Sequence, residues 1–270
     1  MDTLKSDIIK KNFAWLEADA ELTDVLYRAV LADLAKELYR DGILPSPADA
    51  LEAFHSAGQR DTALFARLCE MLTEGHADEH FTNYSPVPKR VSYLRSPMTD
   101  KAFMAFSEMF PGLSAVYGAD FKSICEDVYY ERSDACILPL ESSSDGLLMS
   151  FRKLMLKYEL CIHSVCEQRQ NDDSRLIIAL LTSVPSFNGD LLEFYIPSSS
   201  PGSIETLCNV TAFFGGTVVR TSTVMSEYSS GVDIHMCIKI ADNSKNAFVY
   251  CLEALYPSHM ILGNYKNFNI

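Results

Sequence analysis

A run of small polar residues, Glu141 to Gly146, lies between two apolar segments and has the residue types of an anion-binding turn. The apolar run before it reaches Pro139, which has no N–H for a strand ladder, so we predict that a strand ends there. The apolar residues after it recur at helical spacing: Leu147, Leu148, Phe151, Leu154 and Met155. Free amides at such a helix N-terminus would bind a carboxylate or phosphate. The alternative is that the serines only cap the helix.

Two other groups of residues have metal-binding types, but their settings favour other interpretations. His76 and His80 flank two acidic residues in a segment rich in turn residues, whereas a zinc motif needs a formed helix and further ligands. Eight cysteines lie in apolar segments without a CxxC pair. This usage is typical of reduced core residues in a cytoplasmic protein. We therefore predict no metal site and no cofactor.

Length, composition and charge exclude several classes of partner. The chain has 270 residues, 48% of them hydrophobic, which is enough for two or three folded domains. Its formal net charge of −13 opposes binding to nucleic acid or to an anionic membrane surface. The first residues carry charges throughout, so we expect neither a signal peptide nor a membrane span.

Hydrophobic periodicity predicts α/β and α+β architecture in three parts. Residues 1–80 read as a helical module of one long and two shorter helices, followed by a linker. Residues 90–182 alternate strands with helices, which is typical of a parallel sheet. The serine run then lies at the carboxyl end of a strand, where open α/β sheets bind ligands. Residues 188–270 follow the order βαββαβ of a ferredoxin-like sandwich.

From Val91 to the C-terminus, the ordered motifs resemble prephenate dehydratase followed by an ACT regulatory domain. The strand VSYL precedes the segment LRSPMTDK, at the place of a glycine-containing loop in the family. Glu141-Ser142-Ser143 stands for the family's Glu-Asn-Ser, and Ser174-Arg175-Leu176 for its Thr-Arg-Phe. Pro201-Gly202 and the closing ILGNYKN match the ACT portion. In bifunctional members a chorismate mutase comes first, and residues 1–80 resemble that module in outline.

The resemblance implies a lyase of phenylalanine biosynthesis, which converts prephenate to phenylpyruvate, carbon dioxide and water. Ser174 and Arg175 would be catalytic, donating a hydrogen bond to the leaving hydroxyl and holding a carboxylate. Glu141, Ser142 and Ser143 would bind the substrate. Two alternatives remain open at this point: Arg175 forms a surface ion pair with Asp172 or Asp173, or Ser174 only begins a strand.

The ACT-like portion implies allosteric regulation by phenylalanine or a similar amino acid, in a homodimer. The effector-binding residues would be Pro201, Gly202, Ser203, Ile204 and Ser222.

The connection before Ser174 is short, which predicts a truncated periplasmic-binding-protein-like lobe without the second dehydratase lobe. Substrate pockets bury most of a small ligand between walls, so the loss of one wall should weaken binding and water exclusion. The alternative function is therefore a catalytically inactive ACT-type sensor of an aromatic amino acid, or a regulatory scaffold.

Overall fold

The computed structural model describes residues 9–12, 24–39, 43–74, 87–169, 174–186, 189–198, 203–225 and 231–269. Contacts divide the chain into two compact units. The helix-rich unit joins Met1–Phe81 to Tyr195–Met260, and the α/β unit joins Thr82–Phe194 to Ile261–Ile270. Each unit thus combines two separate stretches of chain. The three-domain division at 1–80, 90–182 and 188–270 stays a prediction.

The helices and strands follow one another in an order close to the predicted one. They are α1 (Asp24–Leu38), α2 (Pro47–Ser56), α3 (Thr62–Thr73), β1 (Arg90–Tyr93), α4 (Pro97–Met109), β2 (Ser114–Tyr117), α5 (Phe121–Tyr129), β3 (Ala135–Ser142), β4 (Gly146–Leu147), α6 (Met149–Lys157), β5 (Cys161–Arg169), β6 (Arg175–Thr182), β7 (Leu191–Ile196), α7 (Ile204–Phe213), β8 (Thr217–Met225), β9 (Val232–Lys239), α8 (Asp242–Leu255), β10 (Met260–Tyr265) and β11 (Asn267–Asn269).

The α/β unit contains a mixed sheet with the strand order β2-β1-β3-β6-β5-β10-β7. Of the last two strands, only residues 261–265 of β10 and 191–194 of β7 belong to this unit. Strand β1 pairs in parallel with β2 and β3, as expected for βαβ units. Strand β6 runs antiparallel to both β3 and β5, which the prediction of a parallel sheet did not include. Only residues 170–174 separate β5 from β6, so no second lobe can fit at this point of the chain.

Strand β3 continues through Pro139 to Ser142, so the prediction that it ends at the proline is wrong. Strand β1 pairs only with the first two residues of β3, and the ladder with β6 shifts register between Pro139 and Glu141. A proline without an N–H is tolerated at such a bulge, because no ladder hydrogen bond is required of it there. The strand therefore extends the sheet beyond the point where the local sequence suggests a stop.

Helix α4 covers the apolar face of the sheet. It begins at a capping box in which Ser96 Oγ accepts a hydrogen bond from the Thr99 amide at 3.2 Å and Thr99 Oγ1 accepts one from the Ser96 amide at 3.0 Å. Ala102, Ala105 and Phe106 are buried at helical spacing. They contribute to a core with the inward side chains of the strands: Val91, Tyr93, Ala135, Ile137, Cys166, Leu176, Ile178 and Leu180.

The predicted helical module does not form a core by itself within the helix-rich unit. Helix α3 packs against α1, α7 and α8, and helix α2 packs against α8. Phe54 and Phe65 lie 5.3 Å apart between ring centroids, and the Arg67 guanidinium lies 5.1 Å from the centroid of the Phe213 ring. Tyr250 donates a hydrogen bond to the Pro45 carbonyl at 2.8 Å. The likeness of residues 1–80 to a chorismate mutase stays a prediction.

The elements from β7 to β10 follow the βαββαβ order read from the sequence. In the helix-rich unit, β8 and β9 form an antiparallel pair in which Thr221 lies opposite Met236. The apolar residues of β9 alternate with polar ones. Every residue from Asp233 to Ile238 is buried, whether apolar or polar. The assignment of this portion as an ACT domain stays a prediction.

A buried ion pair joins α6 to β7 within the α/β unit. Arg152 is 1% exposed and its Nη1 donates to Glu193 Oε1, while the Tyr265 hydroxyl donates to Glu193 Oε2 at 2.5 Å. Among the described residues, Arg152 Nε has no hydrogen-bond partner. Two charges removed from water in this way must remain paired, because an isolated buried charge is strongly unfavourable.

Replacing Arg152 by methionine should lower the free energy of unfolding by about 3–5 kcal/mol, because Glu193 would then be buried without its cation. The double variant R152M/E193M should recover most of this loss, since both charges are gone. Urea denaturation followed by circular dichroism measures both. The matched control is R132M, which breaks a 2.9 Å ion pair with Asp127 whose arginine side chain is 59% exposed. It should cost less than about 1 kcal/mol, and an equal loss for R152M would contradict the prediction.

Candidate functional site

The serine run forms the tip of a β-hairpin, and the predicted helix N-terminus is wrong. Glu141 pairs with Leu147 and Ser142 with Gly146, which adopts a left-handed φ of +69° that suits glycine. Helix α6 begins only at Met149, and its N-cap makes no side-chain hydrogen bond. The serines therefore neither cap this helix nor lie around its free amides.

Hydrogen bonds within the hairpin tip fix several of its hydroxyls. Ser142 Oγ and Ser144 Oγ lie 2.7 Å apart, and Ser142 Oγ accepts a bond from the Ser144 amide at 3.2 Å. Ser144 Oγ also donates to Asp145 Oδ2 at 2.8 Å. The tip is thus a polar turn held by its own side chains.

Strand pairing brings the predicted substrate-binding residues beside the predicted catalytic ones. Ser142 lies opposite Leu176 in the β3–β6 ladder, so Arg175, which begins β6, and Ser174 just before it lie next to the hairpin. Ser143 Oγ accepts a hydrogen bond from the Arg175 amide at 2.8 Å, and the Ser143 amide donates to the Arg175 carbonyl at 2.8 Å. This juxtaposition is a fact of the fold, whereas the catalytic and binding roles stay predictions.

The Arg175 guanidinium remains accessible at this edge. Its side chain is 61% exposed, and its nearest described acidic partner is Glu167, at 3.5 Å from Nη1 to Oε1. The proposed alternative partners, Asp172 and Asp173, lie outside the described residues. Glu141, Ser142 and Ser174 are half-buried, and Ser143 is exposed. Water has free access to the arginine and to the hairpin tip.

A second group at the same edge was not found from the sequence. Arg95 lies just after β1, with its guanidinium carbon 5.3 Å from the centroid of the Tyr117 ring and its Nε 3.7 Å from Asp100 Oδ2. Tyr93 donates a hydrogen bond to Asp100 Oδ1 at 3.0 Å and packs edge-on against Tyr117 with centroids 5.3 Å apart. The Arg95 side chain is 70% exposed, so this cation is open to an anionic ligand.

Burial, followed by hydrogen bonding with Tyr117 and Asp100, raises the pKa of Tyr93 well above its usual value. Tyr93 therefore stays a neutral donor at physiological pH. The sequence carried one signal for this group: the segments that form β1 and β2 both end in tyrosine. In the structure these two tyrosines pair in register. An arginine follows two positions after the first of them.

The segment LRSPMTDK needs no glycine in this structure. None of residues 94–98 adopts a positive φ, and the capping box at Ser96 shapes the entry to α4. The carbonyl of Met98 accepts a hydrogen bond from Gln168 Nε2 at 3.0 Å, which ties this entry to the end of β5. The loop is therefore positioned by side-chain hydrogen bonds.

The predicted effector residues are only partly described. Pro201 and Gly202 lie outside the described residues. Ser203 is the N-cap of α7, where its Oγ accepts a hydrogen bond from the Thr206 amide at 3.1 Å, and Ile204 begins the helix with 39% exposure. Ser222 lies on β8 opposite His235, and its Oγ is buried without a partner among the described residues. No described hydrogen bond joins Ser222 to the Ser203 cap.

Asp233 anchors the chain that leads to this predicted effector loop. It is 7% exposed, and its carboxylate accepts hydrogen bonds from the Tyr195 hydroxyl at 2.7 Å and from the Ser198 amide at 2.9 Å. Sequence reasoning missed Asp233, because an acidic residue among the alternating polar positions of a strand carries no sign of its partners. The two bonds fasten Tyr195 and Ser198 to β9.

The described part of the chain contains no group of three or more His, Cys, Asp or Glu side chains that could hold a metal ion. His76 and His80 lie outside that part. All eight cysteines are free, six of them buried and two half-buried. Within the described ranges, every helix is too short or too polar to cross a bilayer.

Several solved structures share this fold. The prephenate dehydratase of Streptococcus mutans gives a TM-score of 0.55 at 12% identity, over 66% of this chain and 98% of its own. The prephenate dehydratase of Arthrobacter aurescens in complex with L-Phe gives 0.52 at 12% identity, over 65% of this chain and 89% of its own. GqqA, a quorum quenching acylase, gives a TM-score of 0.51 at 18% identity, over 66% of this chain and 94% of its own. No protein-family model and no curated protein matches the sequence. The likeness is therefore one of fold.

Substitution of Ser143 should affect stability more than substitution of Arg175. The variant S143A removes the acceptor for the Arg175 amide and should cost about 1 kcal/mol, whereas R175M removes only an exposed 3.5 Å contact and should cost less than about 0.5 kcal/mol. Urea denaturation of both variants beside the parent chain measures the difference. Equal losses would mean that the Ser143 hydroxyl does not hold β6 in place.

Proposed function

We propose that the chain is a prephenate dehydratase-like lyase, which binds prephenate at the carboxyl edge of β1, β2 and β3. One observation carries the proposal: on a fold shared with prephenate dehydratases, the β3–β6 register brings Glu141, Ser142 and Ser143 beside Ser174 and Arg175. Arg95 adds a second exposed guanidinium at that edge. Prephenate has two carboxylates, and guanidinium groups match carboxylates in a bidentate geometry.

The proposed reaction asks little of the protein beyond orientation and proton donation. The bond from the ring to its carboxylate breaks and releases carbon dioxide, and the electron pair moves into the ring. The bond to the ring hydroxyl then breaks, and the hydroxyl leaves as water after it gains a proton. Ser174 would donate a hydrogen bond to that leaving oxygen, and Arg175 would hold a carboxylate. The eight free cysteines support a cytoplasmic location as part of this proposal.

Incubation of the full chain with prephenate, with phenylpyruvate followed over time, tests the activity. We expect kcat/KM to fall about 10-fold to 1,000-fold in S174A and R175Q, because each variant removes one hydrogen-bonding group from the transition state. The control is K101Q, which removes an exposed lysine of α4 and should retain the parent rate. If the folded parent chain forms no phenylpyruvate above the uncatalysed rate, the dehydratase proposal is wrong.

A second candidate function is an ACT-type sensor of an aromatic amino acid, acting as a homodimer without catalysis. The fold match to a prephenate dehydratase in complex with L-Phe favours it, together with the βαββαβ order and the Asp233 anchor. Sheet edges and helices in this portion are available for pairing with a second copy.

A thermal-shift titration with L-phenylalanine tests the sensor. At about 100 times the dissociation constant, the ligand should add roughly 2.7 kcal/mol to the stability of the folded state. The variant D233N should shrink the shift, because an amide in place of the carboxylate loses one of the two acceptor positions that hold Tyr195 and Ser198. K157Q is the control on the other unit. An unchanged melting temperature at millimolar L-phenylalanine would rule the sensor out.

A further inference from the structure

A cavity lies at the opposite end of these strands from the proposed dehydratase site, where β1 and β3 begin. Its volume is about 470 Å³, and it is bounded by the entry to β1, the end of α5 with the turn after it, and the end of β6. We call it the Lys89 cavity. The lining residues that matter for a ligand are Val87, Lys89, Val128, Glu131, Ser133 and Val184. The proposed dehydratase residues lie near the carboxyl ends of β1 and β3 and at the start of β6, so the two sites share no residue.

Two side chains of opposite charge, Lys89 and Glu131, lie at the rim of the Lys89 cavity and form no ion pair with each other. Lys89 and Glu131 are both exposed, and neither side chain makes an ion pair or hydrogen bond with another residue in the described ranges. The Lys89 backbone is fixed, because its amide donates to Asp134 Oδ2 at 2.9 Å. Asp134 also lines the cavity, and its Oδ2 is engaged by the Lys89 amide and by the Arg90 amide at 2.8 Å. Lys89 and Glu131 are thus a cation and an anion whose side chains have no partner in the described ranges.

The Glu131 backbone adopts a left-handed φ of +58°, a conformation that glycine would adopt at lower cost. Backbone hydrogen bonds hold it there: the Glu131 amide donates to the Val128 carbonyl at 3.0 Å, and the Arg132 amide donates to the Asp127 carbonyl at 2.7 Å. These two bonds form the Schellman motif that commonly ends a helix, so the backbone that presents Glu131 at the cavity is fixed by the end of α5.

A buried hydroxyl without a partner supplies independent evidence for a ligand. Ser133 lines the cavity, is 2% exposed, and its Oγ makes no hydrogen bond within the described ranges. Buried hydroxyls in native structures are normally paired, so this one calls for a partner.

The walls of the cavity are aliphatic. Val87 and Val184 are 49% and 36% exposed, which makes them two of the exposed large hydrophobic residues of the described chain, and the third lining valine, Val128, is buried. Val184 is held in place because its carbonyl accepts a hydrogen bond from Thr182 Oγ1 at 2.7 Å. A ligand with an aliphatic group would remove this valine surface from water.

We propose that the Lys89 cavity binds a small aliphatic α-amino acid. Lys89 and the Ser133 hydroxyl take its carboxylate, Glu131 takes its ammonium group, and the valines cover its side chain. A zwitterion satisfies both rim charges at once, whereas a simple carboxylate or a simple amine leaves one of them unsatisfied. The inference does not depend on the dehydratase or sensor proposals, because it concerns other residues at another edge of the sheet.

Isothermal titration calorimetry of the full chain with three probes tests the chemistry. The probes are L-leucine, 4-methylpentanoate, which has only the carboxylate, and 3-methylbutylamine, which has only the amine. L-leucine should bind at least about tenfold more tightly than either analogue. Equal affinity for 4-methylpentanoate, or no saturable binding of L-leucine, would overturn the proposal.

Variants locate the binding. K89M and E131Q change exposed side chains and should each weaken L-leucine binding at least about tenfold, and S133A should weaken it severalfold. K101M, which removes an exposed lysine elsewhere, and S174A, at the proposed dehydratase site, are the matched controls and should bind as the parent does. Circular dichroism verifies that each variant is folded. Parent-like affinity in K89M and E131Q would assign L-leucine to another site and refute the proposal.

Discussion

The antiparallel pairing of β3 with β6 is the constraint on which the α/β unit depends. It extends from Ala135 opposite Thr182 to Ser142 opposite Leu176, and buries the centre of the sheet under α4. Successive side chains alternate between the two faces of a sheet, so a slip of one residue would turn Ile178 and Leu180 away from that core. The same register sets Ser143 against Arg175 at one end. Because one ladder fixes both the core and the candidate site, the site residues cannot shift separately from the fold.

Much of the fold could be predicted because its signals are local and repetitive. The apolar runs that became β3, β5 and β6 and the helical spacing of α3 and α4 each depend on neighbouring residues. The strand end predicted at Pro139 was wrong because that prediction also used only neighbouring residues. A proline ends a strand only where the ladder needs its N–H, and the pairing with β1 ends before Pro139. The serine run was predicted as a helix N-terminus because hairpin turns and helix caps favour the same small polar residues. Only the long-range pairing decides between them.

The candidate site was predictable in part, and the part that was missed depends on long-range contacts. Glu141 to Ser143 and Ser174-Arg175 were found as short motifs. Arg95 was missed because its contact with Tyr117 depends on the pairing of β1 with β2. Asp233 was missed for a similar reason, since its two partners lie 35 or more positions away along the chain. The fold itself does not decide the chemistry, because it is shared by prephenate dehydratases and by an acylase.

Electrostatics limits what an open edge can do with a dicarboxylate. The formal net charge of −13 repels such a ligand at a distance, but charges beyond about 8 Å are screened at physiological ionic strength. Arg95 and Arg175 therefore set the local attraction, and with side chains 70% and 61% exposed each pair is worth at most about 1 kcal/mol in water. Useful affinity requires that water be removed from these guanidinium groups, which strengthens each charge pair severalfold. Dehydratase activity at this edge thus depends on a surface that covers the substrate once it is bound.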